Sequence, residues 1–285
     1  MKKSYVGEGK VGLIAGGGKI YTDLAARFVG SEKSLDEIIA APYSKEIVLR
    51  ILNSGHKAAV EFDYFLFGIE GYARVTEVQL VRKRIASYMI KTGRMDKYGK
   101  RSFDVVIPKH IENNKTSYKL PVSSLTLTDG TPLGNYIPKG EIELNYLVGV
   151  DDILDIIENW YEAGVKNGFP EEELRYLKPQ ATEFKAIIGM NAHALLDWFA
   201  IRCCQRAQTE IRDLAYKMLE LCQEAAPDLF ANAGPNCVVL GYCPENEMQH
   251  EGCRGKVFTK NEVIKLLQKA RKSKTKDKKG EDPTG

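Results

Sequence analysis

The sequence predicts an α+β protein whose C-terminal half is mostly helical. Residues 60–69 alternate and are rich in aromatic side chains, which is typical of a strand. Residues 151–168 place apolar side chains on one helical stripe and close with Asn-Gly, and residues 207–222 repeat the helical spacing. Strands and helices therefore share one chain, and helices dominate its C-terminal half.

In chain order, residues 10–15 form the first predicted strand, and Gly16-Gly17-Gly18 connects it to a helix that reaches Phe28. The glycine run lacks both the Walker spacing and Gly-x-Gly-x-x-Gly, so we interpret it as a connection and not as a phosphate loop. A second helix is expected over 44–53, with Ser44 as its N-cap and Gly55 ending it.

A third helix is expected to begin at Gly71, after the strand at 60–69. One face of this helix would carry Tyr72, Val75 and Val78. The helix would deliver Gln79 and Arg82 to a turn around Ser87.

Residues 101–150 show an irregular pattern with short extended pieces, many turn residues and no recognisable chemistry. The helix at 151–168 carries aromatic side chains that we assign to a core or a subunit interface. A strand is expected over 183–190, and Asn191 is a good N-cap for the helix that follows.

Length and composition describe an ordinary globular protein. The chain has 285 residues, of which 44% are hydrophobic and 28% charged, so it can bury a sizeable core. We predict a single domain over 1–268 and a basic tail over 269–285 that is expected to be disordered. The formal net charge of +3 is small for a chain of this length, and it is smaller still when the basic tail is left out. We therefore expect no nucleic-acid partner.

Two further classes of protein are excluded by the sequence. No apolar run reaches 18 residues and the N-terminus lacks a signal-peptide core, so we expect no membrane contact and a cytoplasmic location. The six cysteines include the adjacent pair Cys203 and Cys204 in a helical stretch, which indicates reduced thiols and not a secreted disulfide framework.

Three consecutive cations, Arg82-Lys83-Arg84, precede a Thr92-Gly93 turn and Arg94, and this outlines an anion site. Guanidinium groups match phosphate oxygens in pairs, and a Thr-Gly turn lets backbone N–H groups approach a charged ligand. Taken alone, such a basic run is more often a solvated helix end or a loose nucleic-acid patch.

The spacing Arg-x-Arg, seven residues, a hydroxyl residue and Gly-Arg resembles the signature of the flavin-dependent thymidylate synthases of the ThyX type, which reads Arg-His-Arg, seven residues, Ser. Lys83 stands at the position of the motif's histidine and Thr92 at that of its serine. A second block, from Asn191-Ala-His through Arg202 to Ala-Gln-x-Glu-Ile-Arg212, resembles the second block of the same family. The resemblance implies the family's fold, a central mixed or antiparallel sheet flanked by helices.

The resemblance also implies an activity. Members of the family methylate dUMP to dTMP reductively, using methylenetetrahydrofolate as the one-carbon donor and FAD that is reduced by NADPH. Arg202 is implied to be the catalytic residue, stabilising charge on the pyrimidine. The implied dUMP-binding residues are Gln79, Arg82, Ile90, Lys91, Thr92, Gly93, Arg94, Arg175 and Arg202. The implied FAD-binding residues are His56, Arg82, Lys83, Arg84, Asn191, Ala192, His193 and Asp197. A homotetramer with shared flavin sites is implied as well.

Each of these residues also has a simpler interpretation. Arg202 could pair with Glu210 on a helix surface, Asn191 could serve only as a cap, and His56 could be a loop-end histidine. The chain departs from the family's pattern at Lys83, Ile90, Thr92, Met95 and His193. Two alternatives therefore stand beside thymidylate synthesis: a flavoenzyme that modifies another pyrimidine nucleotide, and a paralogue that binds a nucleotide without turnover.

The C-terminal segment contains Cys237, Cys243, His250 and Cys253. Three cysteines and a histidine can close a tetrahedral zinc site, but the usual Cys-x2-Cys pair is missing. We therefore expect no metal, and interpret the segment as a Pro/Gly-rich loop with reduced thiols.

Overall fold

The computed structural model of the chain describes residues 1–55, 57–91, 103–121, 126, 129–132 and 143–277. Its contacts divide the chain into two compact units. The smaller unit comprises residues 1–8, 73–75 and 91–184. The larger unit comprises residues 9–72, 76–90 and 185–285.

The strands in chain order are β1 Lys3–Tyr5, β2 Lys10–Ala15, β3 Tyr64–Ala73, β4 Ser87–Ile90, β5 Val105–Ile107, β6 Thr116–Pro121, β7 Glu143–Val148 and β8 Glu183–Asn191. The α-helices are α1 Tyr21–Val29, α2 Leu35–Ala40, α3 Lys45–Ser54, α4 Arg74–Leu80, α5 Val150–Lys166, α6 Glu171–Leu174, α7 Ala192–Arg202, α8 Thr209–Ala225, α9 Pro227–Phe230, α10 Asn236–Leu240 and α11 Lys260–Asp277. Short 3-10 helices cover Lys57–Phe62, Lys109–Ile111, Arg175–Leu177, Asn246–Met248 and Glu251–Cys253. The predicted α+β class is confirmed.

The larger unit is built on a four-stranded sheet with the order β2-β3-β8-β4. Strands β2 and β3 are antiparallel, with Lys10 opposite Glu70. Strands β4 and β8 are also antiparallel, with Met89 opposite Ile187. The two blocks of sequence that define the candidate site therefore flank neighbouring strands.

Helices cover one face of this sheet because alternate strand residues are apolar on that side. Phe65 and Phe67 of β3 and Ile188 of β8 are fully buried there. Phe65 and Phe199 of α7 both lie edge-on to Phe230, with ring centroids 5.2 and 6.1 Å away. Strand β3 and helices α7 and α9 thus share one aromatic core.

The smaller unit has its own core. It contains a parallel pair of strands, β1 and β5, and an antiparallel pair, β6 and β7. Phe103 and Tyr161 of α5 meet edge-on at 6.2 Å. Gly164 allows α5 to approach α6, because a Cβ at this position would lie 2.4 Å from a methyl carbon of Leu174.

Several predictions that depend on local pattern are confirmed. The strand at 10–15 is β2, and the strand at 183–190 is β8 with one more residue. Asn191 caps α7, since its Oδ1 accepts the N–H of Ala194 at 2.7 Å. Helix α3 ends at Gly55, which has a φ of +77°. Its Ser44 side chain makes no capping bond, but the Ser44 N–H donates to Asp23.

The strand predicted over 60–69 is displaced. Residues 60–62 belong to a 3-10 helix, and β3 begins at Tyr64. The reason lies at Asp63, whose buried carboxylate accepts the N–H groups of Tyr21 and Thr22 and so caps α1. Strand β3 begins directly after this residue.

The predicted start of the third helix, at Gly71, is also wrong, because α4 begins at Arg74. Strand β3 continues to Ala73, and Tyr72 is fully buried in it, while Val75 and Val78 are exposed. Gly71 has a φ of +77°, and a Cβ there would lie 3.2 Å from the Cα of Gly9. The glycine therefore permits a close approach of two backbones and does not open a helix.

One further expectation is wrong, since Ser87 begins β4 and is not in a turn. The short extended pieces expected within residues 101–150 correspond to β5, β6 and β7 in the described part of that region. On α5, Tyr161 and Gly164 are buried, but Ile153, Ile156 and Trp160 are exposed. Helix α11 extends to Asp277, and residues 278–285 lie outside the described residues.

Within the described ranges, no helix is both long and apolar enough to cross a membrane. The division into a domain over 1–268 and a tail stays a prediction.

Candidate functional site

The first block of the site is the connection from α4 to β4, which carries Arg82, Lys83 and Arg84. Helix α4 is anchored on α8 because the hydroxyl of Thr76 donates to the buried carboxylate of Glu210 at 2.5 Å. The hydroxyl of Tyr88 lies 2.9 Å from the carbonyl oxygens of both Leu80 and Lys83. Burial raises the pKa of Tyr88 to about 12, so this hydroxyl stays protonated and can donate to the carbonyl groups of the α4–β4 connection.

The second block enters through the end of α7, where Arg202 reaches the first block. Its guanidinium donates to the backbone carbonyl of Gln79 at 3.1 Å and to the Gln79 side-chain oxygen at 3.4 Å. The amide nitrogen of Gln79 donates in turn to Gln208 at 2.8 Å. Residues 123 positions apart in sequence are therefore in direct contact.

Positive charge is concentrated at this point. Burial and, after it, the neighbouring Arg82 guanidinium lower the pKa of Arg202. Arginine remains charged in proteins even so. Two guanidinium groups held near each other attract an anion, because the repulsion between them is relieved when it binds.

A second cluster lies on the exposed side of α7. Lys83 Nζ is 3.4 Å from a carboxylate oxygen of Asp197, and Lys57 Nζ is 4.0 Å from the other. His193 Nδ1 lies 3.1 Å from Glu61, and His193 Nε2 lies 3.8 Å from Asp197. We call these five residues the α7 polar cluster.

The α7 polar cluster fits the polar part of a flavin nucleotide. Its side chains are half-exposed and present two ammonium groups, an imidazole and two carboxylates on one side of a rigid helix. Ammonium donors suit pyrophosphate oxygens, and carboxylate acceptors suit ribityl or ribose hydroxyl groups.

Asn191 and Ala192 also make hydrogen bonds that fix the start of α7. Asn191 Oδ1 is used in capping α7, and the N–H of the fully buried Ala192 donates to the Asp63 carbonyl at 2.7 Å. Asp63 therefore joins the start of α1 to the start of α7. These bonds fix the direction in which α7 presents His193 and Asp197.

The structure brings some predicted residues together and leaves others apart. Gln79, Arg82, Lys83, Asn191, Ala192, His193, Asp197 and Arg202 gather around α7 and the α4–β4 connection in the larger unit. Arg84 is exposed on the same connection. Ile90 lies in β4 opposite Ala186. His56, Thr92, Gly93, Arg94 and Met95 lie outside the described residues.

Lys91 and Arg175 belong to the smaller unit. The carbonyl of Lys91 accepts from the Arg74 guanidinium at 3.1 Å. The Nε of Arg175 donates to the Glu172 carbonyl at 3.2 Å, which orients this half-buried side chain.

Sequence reasoning missed three residues of the site. Gln208 bonds to Gln79, while Glu61 and Lys57 complete the α7 polar cluster. A signal existed for two of them. Gln208 is the glutamine of the Ala-Gln-x-Glu-Ile-Arg text, and Glu61 lies five residues after His56. Gln208 stands inside text that resembles the family, and Glu61 lies near the implied flavin residue His56, so a closer comparison could have included them.

The cysteines are all free thiols. Cys203 is buried, and burial raises its pKa to about 12, which makes it a poor nucleophile. Across the part of the chain that is described, no three His, Cys, Asp or Glu side chains are placed to hold a metal ion.

Comparison with known proteins agrees with these observations. The family described as thymidylate synthase complementing protein matches residues 20–228. The chain is 32% identical to a flavin-dependent thymidylate synthase of Geobacter sulfurreducens over 228 residues, covering 79% of this chain and 85% of that protein. It is 36% identical to one of Nitratidesulfovibrio vulgaris over 201 residues, covering 70% and 72%.

A solved structure shares the fold. The crystal structure of a UMP/dUMP methylase, PolB from Streptomyces cacaoi bound with 5-Br dUMP, matches with a TM-score of 0.58 at 17% identity. The match covers 81% of this chain and 96% of that one. With the family match over most of the chain, these findings show that the chain belongs to the thymidylate synthase complementing protein family, the family of the flavin-dependent thymidylate synthases.

Proposed function

We propose that the protein is a flavin-dependent thymidylate synthase, which methylates dUMP reductively to dTMP. Its relatives carry that name at 32–36% identity over most of the chain. The observation that supports the proposal is the contact of Arg202 with Gln79 beside Arg82, because it brings two distant blocks of sequence together at two guanidinium groups.

Arg202 is the proposed catalytic residue. Its guanidinium is half-buried and oriented by two bonds to Gln79, so little reorganisation is needed when negative charge develops on a pyrimidine placed beside it. Gln79 would read the edge of the uracil, and Arg82 would add positive charge. Ile90, Lys91, Thr92, Gly93 and Arg94 would form the nucleotide turn, and Arg94 and Arg175 would neutralise the phosphate.

FAD is the proposed cofactor, with NADPH and methylenetetrahydrofolate as co-substrates. Bound FAD, once reduced, would supply the hydride. Lys83, His193 and Asp197 of the α7 polar cluster would hold its polar groups. Arg82, Arg84, Asn191, Ala192 and His56 complete the proposed flavin set. Lys83 replaces the family's histidine, and its contact with Asp197 supports a role in holding the cofactor in place.

A homotetramer with shared sites is also proposed. The sheet of the larger unit has helices on one face, while its open face carries exposed Tyr64, Met89 and Ile187. Apolar groups on an open sheet face favour contact with another copy. A cytoplasmic location stays a prediction.

Tritium release from [5-³H]dUMP tests the activity. Purified protein should be yellow and should release tritium only when the folate donor, NADPH and flavin are all present. Omitting each component in turn is the control. Yellow protein that releases no tritium from dUMP would favour a flavoenzyme acting on another pyrimidine nucleotide. Colourless protein that still binds dUMP would favour a paralogue without turnover.

A further inference from the structure

A cavity of about 260 Å³ in the larger unit is lined by cysteines. Its walls include Cys203, Cys204, Cys237, Cys243 and Cys253, which are five of the six cysteines of the chain. Arg202 and Arg206 line the same cavity. We call it the cysteine pocket.

Three pieces of chain bring these thiols together. Cys203 and Cys204 follow directly after α7, and Cys237 lies in the first turn of α10, which packs on α7. The Cys243 N–H donates to the Phe258 carbonyl at 2.7 Å, and the Cys253 N–H donates to the His250 carbonyl at 2.9 Å. Backbone hydrogen bonds therefore hold the last two thiols in the pocket wall.

The pocket does not suit zinc in its present geometry. His250 Nδ1 lies 3.0 Å from the N–H of Gly252 and accepts from it. Across the described residues, no three His, Cys, Asp or Glu side chains are placed to hold a metal ion. We therefore consider the chemistry of the thiols themselves.

The thiols differ in burial. Cys203 and Cys243 are buried, whereas Cys204, Cys237 and Cys253 are half-exposed and can be reached by a small oxidant. Cys204 and Cys237 line the same cavity where α10 packs on α7. Burial, and after it the neighbouring Cys204, raises the pKa of Cys237, and Cys243 and Cys253 add smaller effects. We therefore pair Cys237 with Cys204. A raised pKa disfavours Cys237 as the first nucleophile, which leaves that role to Cys204.

We propose that Cys204 and Cys237 form a reversible disulfide in the cysteine pocket, and that this disulfide slows turnover at the Arg202 site. The modifying agent is a hydroperoxide, and a dithiol reverses the change. The second half of the proposal depends on the proposed function, whereas the disulfide itself does not.

The chemistry balances with hydrogen peroxide as the oxidant. The Cys204 thiolate attacks one peroxide oxygen and breaks the O–O bond, which gives a sulfenic acid and, after protonation, one water. Cys237 then attacks the sulfenyl sulfur, forming the S–S bond and releasing the second water. Two thiols are oxidised by two electrons, and one peroxide is reduced to two waters.

The proposed disulfide is connected to the Arg202 site because Cys204 is close to Arg202 in the sequence. Cys204 lies two residues after Arg202, and Arg206 two residues after Cys204. A covalent bond to α10 would restrain the α7–α8 connection and with it the guanidinium of Arg202. Binding and release of a nucleotide commonly need movement in such connections.

Peptide mapping of the full-length protein tests the disulfide. The protein is treated with hydrogen peroxide, alkylated and digested with trypsin and a glutamate-specific protease without reduction. Cleavage at Arg202, Arg206, Glu224 and Glu245 gives peptides 203–206 and 225–245, which should appear linked and should separate with dithiothreitol. Cys204→Ser and Cys237→Ser should each abolish the link, and Cys243→Ser and Cys203→Ala should keep it.

Turnover measured in parallel tests the regulation. We expect oxidised wild type to lose at least about fivefold in tritium release and to recover with dithiothreitol, while Cys237→Ser should be insensitive. Cys253→Ser is the matched control and should respond like wild type. Absence of the linked peptide, a link that survives in Cys237→Ser, or equal turnover of the oxidised and reduced forms would overturn the proposal. Inactive reduced enzyme that still forms the link would instead refute the proposed function.

Discussion

At the scale of single residues, the orientation of Arg202 decides what the site can do. Lysine carries its charge on one ammonium group and lacks the planar fork with which Arg202 bonds to the carbonyl and the side chain of Gln79 while facing a substrate. We predict that Arg202→Lys lowers kcat by about 100-fold or more, the size of the effect when one preorganised donor is lost. Flavin content should be unchanged, since the α7 polar cluster is intact.

Single-turnover assays and the absorbance of bound flavin measure the two quantities separately. Arg50→Lys, at an exposed position on α3, is the control and should behave like wild type. Wild-type turnover in Arg202→Lys would remove this guanidinium from the mechanism.

Lys83 is the most informative departure from the family's pattern. Its ammonium group faces Asp197 at 3.4 Å and would lie against the anionic part of the flavin nucleotide. Lys83→Ala should raise the Kd for FAD by about tenfold, since a hydrogen bond to a charged group contributes about 1.5 kcal/mol or more. Fluorescence titration of the apoprotein measures this Kd.

The comparison for this prediction is Lys33→Ala, which removes an exposed charge from the loop between α1 and α2. Because surface charges are screened by salt, the difference between the two variants should shrink as ionic strength rises. An FAD affinity that does not change in Lys83→Ala would place the flavin elsewhere.

At the scale of elements, Asp63 holds two helices in place. Its carboxylate accepts three hydrogen bonds, from the Tyr21 N–H, the Thr22 N–H and the Thr22 hydroxyl, and its backbone carbonyl accepts one from Ala192. Asp63→Ala would leave buried donors without partners at the start of α1. We predict a decrease of about 3 kcal/mol in the free energy of unfolding.

Urea denaturation followed by circular dichroism measures this change. Asp36→Ala, in the exposed first turn of α2, is the matched control and should cost less than about 0.5 kcal/mol. Equal midpoints for the two variants would contradict the anchoring role.

At this scale, a feature could be predicted from the sequence when it depends on residues that are adjacent in the chain. Strand β2 and the Asn191 cap depend on a few adjacent residues, so periodicity and cap chemistry were sufficient. Gly71 and Asp63 were misjudged because their roles depend on partners far along the chain, Gly9 and Tyr21. The contact between Gln79 and Arg202 could be predicted only from the family resemblance, because nothing in the sequence around either residue indicates it.

At the scale of the whole molecule, the open face of the sheet requires an explanation. Met89 is 75% exposed and Ile187, paired with it across β4 and β8, is 45% exposed. Tyr64 lies over Gly189 on the same side, where a Cβ would come within 2.4 Å of the tyrosine oxygen. Isolated exposed apolar residues are common, but neighbours on one flat face favour an interface.

We therefore predict that the double variant Met89→Asp and Ile187→Asp dissociates the proposed tetramer. Two carboxylates facing the same surface of a second copy would be desolvated without partners, which opposes association. Sedimentation velocity should show a tetramer for wild type and smaller species for the variant. If the flavin sites are shared between copies, the variant should also lose bound FAD. Ile39→Asp, at an exposed position on α2, is the control and should remain tetrameric with its flavin. A monomeric wild type that still turns over dUMP would show that one copy is sufficient, and the open face would then need a different partner.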